Sequence, residues 1–87
     1  MMDSASLKFP VQWHGRLVML AEAAEVEAAV RRIYVTLGLY GAAIDPGQKS
    51  SRARYVTWQL RAVVPDQATL RQLFAMLESL PGLKMLL

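Results

Sequence analysis

The sequence predicts an α+β domain, a four-stranded antiparallel sheet with two helices packed on one face. Three observations carry this. Residues 53–64 form a long alternating apolar and polar run, the pattern of a half-buried strand. Residues 23–37 and 66–79 each place apolar side chains at helical spacing. Shorter extended stretches precede, separate and follow these, so the element order is β-α-β-β-α-β.

Each element has a local cause. Residues 1–8 are small and polar without a period and read as a loose N-terminus before a single domain at 9–87. Phe9-Pro10 marks the entry to structure, and Trp13–Leu20 is the first strand. Trp13, Gly15, Leu17 and Met19 make its more apolar face and are assigned to the core; Gly15 leaves a gap for a large neighbour. In the helix at 23–37, Val26, Val30, Ile33 and Leu37 share one side, Glu27 and Arg31 are spaced for an i, i+4 ion pair, and Gly38 is the stop.

Tyr40–Asp45 is a short second strand of small residues, closed by Pro46-Gly47, which suits a sheet edge. The third strand follows at 53–64, with Val56, Trp58, Leu60, Ala62 and Val64 facing inward. Asp66 caps the second helix, whose stripe is Leu70, Leu73, Phe74, Leu77 and Leu80. Pro81-Gly82 stops it, and Leu83–Leu87 is the last strand, with Leu83, Met85 and Leu87 on one side. Two right-handed split βαβ units give a ferredoxin-like sandwich with strand order 4-1-3-2.

The bulk composition restricts the function classes. Hydrophobic residues at 54% and charged residues at 20% belong to a globular protein. With no cysteine there is no thiolate nucleophile and no cysteine metal site, and a reducing cytoplasm is the expected location. The start lacks a basic flank followed by an apolar core, so no signal peptide is expected. No apolar run approaches the ~20 residues of a membrane span, so no membrane association is expected. His14 is the only histidine, so neither a metal site nor a Ser-His-Asp relay is supported. The chain is therefore read as a non-enzyme with no catalytic residues, no metal and no cofactor.

Two regions carry candidate binding chemistry. Lys49, Ser50, Ser51, Arg52 and Arg54 form a basic, hydroxyl-rich loop that would hold a phosphate or carboxylate; it also reads as a solvated hairpin loop. On the open sheet face, His14, Arg16, Thr57, Gln59, Arg61 and Lys84 would form a polar, cationic surface with Val18, Val63 and Leu86 interspersed. That face suits an acidic partner, RNA or a second copy of the chain, and is equally the composition of an ordinary wet sheet face. Base stacking of the RNA-recognition kind needs exposed aromatics at the centres of strands one and three, and only Tyr55, at a strand start, qualifies.

The SSRARY segment at 50–55, the alternating strand after it, the helix after Pro65-Asp66, the terminal LKMLL and the early Phe9-Pro10 together resemble the YbeD-like family of small bacterial proteins. The resemblance spans residues 9–87 and is closest over 48–87. It implies a fold similar to ACT-type regulatory domains and a regulatory role, and it carries over no catalytic residues. Residues 21–25, AEAAE, lack the glycine and polar side chains with which ACT domains hold an amino acid. The expectation is a small regulatory or adaptor domain acting in trans on a protein partner, with a small anionic ligand as one means. Self-association would use the sheet face or an edge strand; the alternative is RNA or polyanion binding by the same cations.

Overall fold

The structure is a computed structural model that describes residues 8–47 and 54–87. The expected loose N-terminus, apart from Lys8, lies outside the described residues. The elements run β1 (Val11–Leu20), α1 (Val26–Thr36), β2 (Tyr40–Pro46), β3 (Tyr55–Val64), α2 (Gln67–Glu78) and β4 (Leu83–Leu86). The sheet is antiparallel with order β2-β3-β1-β4, the order expected from the sequence read from its other edge.

β1 and β3 pair over their whole length, from Val11 opposite Val64 to Leu20 opposite Tyr55. Residues directly opposite share a face, so one register sorts both strands. Leu17, Met19, Leu60, Ala62 and Val64 are buried under the helices, where they meet Val30 and Ile33 of α1 and Leu73 and Leu77 of α2. Each of these valine, leucine, isoleucine and methionine side chains contributes about 1.5–3 kcal/mol when fully buried. Trp58 also faces inward but is only partly buried at the margin of this core.

The gap at Gly15 has an occupant. The Trp13 indole lies across it, so that any β-carbon at position 15 would collide with the six-membered ring. The indole then meets Phe74 of α2 edge-on, with ring centroids 5.8 Å apart and planes at 63°.

The helix termini show one expected cap and one unexpected start. Asp66 accepts the Thr69 backbone N–H at 2.7 Å, and hydrogen bonding from the Thr69 side chain and backbone holds its carboxyl below the usual aspartate value. The first helix begins at Val26, three residues later than its composition predicts. The chain turns instead, with Ala23 N–H bonded to Leu20 C=O and Glu25 in the left-handed region at φ 59°. Alanines and glutamates favour helix locally, but the connection from β1 onto the sheet overrides that preference. Gly38, at φ 67°, ends the helix as expected. The Glu27–Arg31 pair forms at 3.0 Å on the exposed side.

Tyr34 of α1 ties the helix layer to the β2 edge. Its hydroxyl donates to the Ala43 carbonyl at 2.8 Å, at the point where the β2–β3 register shifts between Tyr40 and Ala43. Burial pushes the phenol up to about 12, partly opposed by the neighbouring Arg61 backbone N–H and the Arg31 charge.

β4 departs from the expected alternation. Leu17 is opposite Leu86 and Val18 opposite Met85, but Met19 is opposite Leu83, so a bulge at Lys84 inserts an extra residue. Leu83 and Leu86 therefore pack on the core, while Met85 lies on the open face. Arg16 and Leu87 exchange backbone hydrogen bonds at 3.1 and 2.8 Å, which places Leu87 on the open face as well. The expected inward placement of Met85 and Leu87, and outward placement of Leu86, are corrected by this bulge.

Candidate interaction face

The open sheet face is built by the side chains that the β1–β3 register turns away from the helices. His14 is directly opposite Arg61, Arg16 opposite Gln59, and Val18 opposite Thr57. Both arginines and the histidine are exposed. β2 adds Ala43 beside Arg61 and Asp45 beside Gln59, so one carboxylate interrupts the cationic surface. Among the described residues neither Arg16 nor Arg61 has a salt-bridge partner.

Lys84 reaches the same face from β4. Its ammonium lies 5.9 Å from the centroid of the Tyr55 ring, a cation–π geometry that joins the last strand to the start of β3. Alternation from Leu83 already directs it there, and the bulge brings Met85 onto the same face beside it. Arg54 is exposed just before β3, and its carbonyl accepts the Ala21 N–H at 2.8 Å. Lys49, Ser50, Ser51 and Arg52 lie outside the described residues.

The face is more apolar than its sequence suggested. Met85 is 45% exposed, Leu87 66% and Tyr40 58%, and all three stand among or beside the cations. Alternation from Leu83 places Met85 and Leu87 inward, and the apolar run Met85-Leu86-Leu87 carries no signal of the bulge that turns them outward. Beside Leu87 the face dips into an open hollow of about 490 Å³ lined by His14, Gly15, Arg16, Gln59, Leu60 and Leu87. The hollow brings together two of the sequence-predicted site residues, the His14 imidazole and the Arg16 guanidinium, with a neutral amide and an exposed leucine. Such an arrangement can pair carboxylates or phosphates and at the same time cover apolar surface. Among the described residues no group of three or more histidine, aspartate or glutamate side chains is placed to hold a metal ion, and no helix is long and apolar enough to cross a membrane.

No protein-family model and no curated protein matches this sequence. Solved structures do match in fold. A solution structure of protein HP0495 from Helicobacter pylori superposes with a TM-score of 0.76 at 15% identity, covering 100% of this chain and 96% of that one. A second solution structure of HP0495 gives 0.68 at 13% identity, with the same coverage. The C-terminal domain of the MgtC protein from Mycobacterium tuberculosis gives 0.57 at 20% identity, covering 87% of this chain and 82% of that domain. At these identities the similarity is one of fold, and it agrees with the ferredoxin-like arrangement of strands and helices described above.

Proposed function

We propose that this chain is a non-catalytic regulatory or adaptor domain of the YbeD-like, ACT-like kind, acting in trans on a protein partner in the cytoplasm. The observation that carries the reading is the open sheet face. There Met85 and Leu87 are exposed on the same face as His14, Arg16, Arg61 and Lys84, with Leu87 directly opposite Arg16. Cations beside exposed apolar groups suit a protein surface that is acidic and partly apolar. The YbeD-like resemblance supports the same reading independently, since it implies an ACT-like regulatory fold. A small anion held by the 49–54 loop would be the regulatory input.

A second reading is favoured by the same guanidiniums, unpaired among the described residues, namely RNA or polyanion binding with a steep salt dependence. One experiment separates the two. The native chain and an Arg16→Glu, Arg61→Glu variant are purified gently from the source cells, and bound material is identified by mass spectrometry with and without nuclease. The regulatory reading expects a defined protein whose recovery falls at least about tenfold in the variant. Equal recovery from both chains overturns it. Recovery that disappears with nuclease replaces it with the second reading.

A further inference from the structure

β1 runs further than the strand beside it. β4 reaches β1 only as far as Arg16, where the Leu87 backbone closes the last hydrogen-bonded pair. From Val11 to Gly15 the β4 side of β1 has no strand among the described residues, a length of about 17 Å at ordinary strand rise. The Arg16 N–H and C=O point toward β4, and alternate residues of a strand direct their backbone groups the same way. Gln12 and His14 therefore present backbone N–H and C=O groups outward from this edge. Such an edge is a template for one more strand.

The two sides of the edge differ in chemistry. Toward the helices, Trp13, Phe74 and Leu86 line a hollow of about 290 Å³, whose lining is completed by Glu78 and, from the edge itself, His14 and Leu87. Toward the open face, the other hollow presents His14 and Arg16, with Arg61 beside His14. A strand laid along Val11–Gly15 would turn alternate side chains into these two environments. Those opposite Trp13 and Gly15 would meet the aromatic hollow; those opposite Gln12 and His14 would meet the cations.

We propose that this edge is a strand-addition site for an extended segment of a partner protein with alternating apolar and acidic side chains. The partner strand runs antiparallel to β1, in line with β4, and its carboxylates pair with Arg16 and Arg61. A second copy of this chain fits less well, because two such faces side by side would bring their arginines together. The proposal rests on the regulatory or adaptor reading and specifies how the partner is held.

The test uses the full chain and a capped peptide of alternating valine and glutamate, with a valine–lysine peptide as control. NMR shifts and amide hydrogen exchange are followed residue by residue. The expected result is slowed exchange at Gln12 and His14 with the glutamate peptide at about 1 mM or below, and none with the lysine peptide. Gln12→Pro removes an outward N–H without touching the β1–β3 ladder, and should weaken binding by roughly fivefold to tenfold. Arg16→Glu should abolish it by charge. Unchanged shifts on β2 and on both helices establish that each variant is folded.

No slowing at Gln12 and His14 overturns the proposal, as does unchanged affinity in Gln12→Pro. Slowing that appears without peptide and grows with protein concentration also overturns it, and assigns the edge to a second copy. In the purification experiment, a partner lost with Arg16→Glu but kept with Gln12→Pro removes the strand-addition site and leaves the sheet-face reading standing. A partner kept by both variants removes the sheet-face reading itself.

Discussion

The two faces of the sheet are made by the same strands and differ in almost every physical respect. On the helix side, Leu17, Leu60, Ala62 and Val64 are sealed against Val30, Leu73 and Leu77. One residue further along each strand, His14, Arg16, Gln59 and Arg61 stand in water. The covered face specifies the fold, because a one-residue slip would bury the arginines and expose the core. The open face has no such constraint from folding. Its arginines have no salt-bridge partner among the described residues, and its exposed methionine and leucine stabilise little, so substitutions there test binding more than folding.

The comparison is broken first at Leu17, which has no exposed surface. Leu17→Ala should lower the unfolding free energy by about 2–5 kcal/mol through lost transfer energy and a residual cavity. A domain of this size has about 4–13 kcal/mol in total, so the effect is read from the shift of the urea midpoint toward zero. Val18→Ala, one residue away on the open side, should cost less than about 1 kcal/mol. Equal effects at the two positions would mean that the open face is covered in solution.

Tyr34 tests how the covered side is fastened at its edge. Tyr34→Phe leaves the Ala43 carbonyl without its phenol donor and should cost about 1–3 kcal/mol. The pH dependence has a definite sign. The phenol is raised in the folded state from 10.0 to about 12, so its contribution is complete below pH 10 and is lost as pH climbs toward 12. Urea titrations of the native chain from pH 9 to 12 should show stability falling on that limb, and Tyr34→Phe should flatten its share of the fall. An identical alkaline slope in both proteins would show that the hydroxyl is not held as described.

Legibility in the sequence follows the same division. β1 and β3 each bury one side and wet the other, so alternation assigned Leu17, Met19 and Leu60 inward and Arg16 and Arg61 outward without ambiguity. The Asp66 cap and the Glu27–Arg31 pair were legible because they are local contacts within one helix. Two features were not. The start of α1 at Val26 depends on how the chain leaves β1, which local composition at Ala23–Glu25 does not encode. The bulge at Lys84 depends on pairing with β1, and the apolar run Met85-Leu86-Leu87 that follows it carries no period to reveal it. The candidate site was accordingly readable in its cations and not in its apolar partners.

The smallest expected effect sharpens that last point. If β4 alternated simply from Leu83, Met85 would be a core residue and Leu86 a surface one. The bulge reverses this: Leu86 packs against the core from opposite Leu17, while Met85 faces outward opposite Val18. Leu86→Ser places a hydroxyl where apolar neighbours surround it and should cost about 1–2 kcal/mol, the lower part of the range for a buried aliphatic side chain because the site is only partly closed. Met85→Ser removes a side chain already 45% exposed and should stay within about 0.5 kcal/mol of the native chain. Chemical denaturation of the two variants side by side reads the difference directly. A larger loss at Met85 than at Leu86 would restore simple alternation, return Met85 to the core, and remove the apolar component from the proposed interaction face.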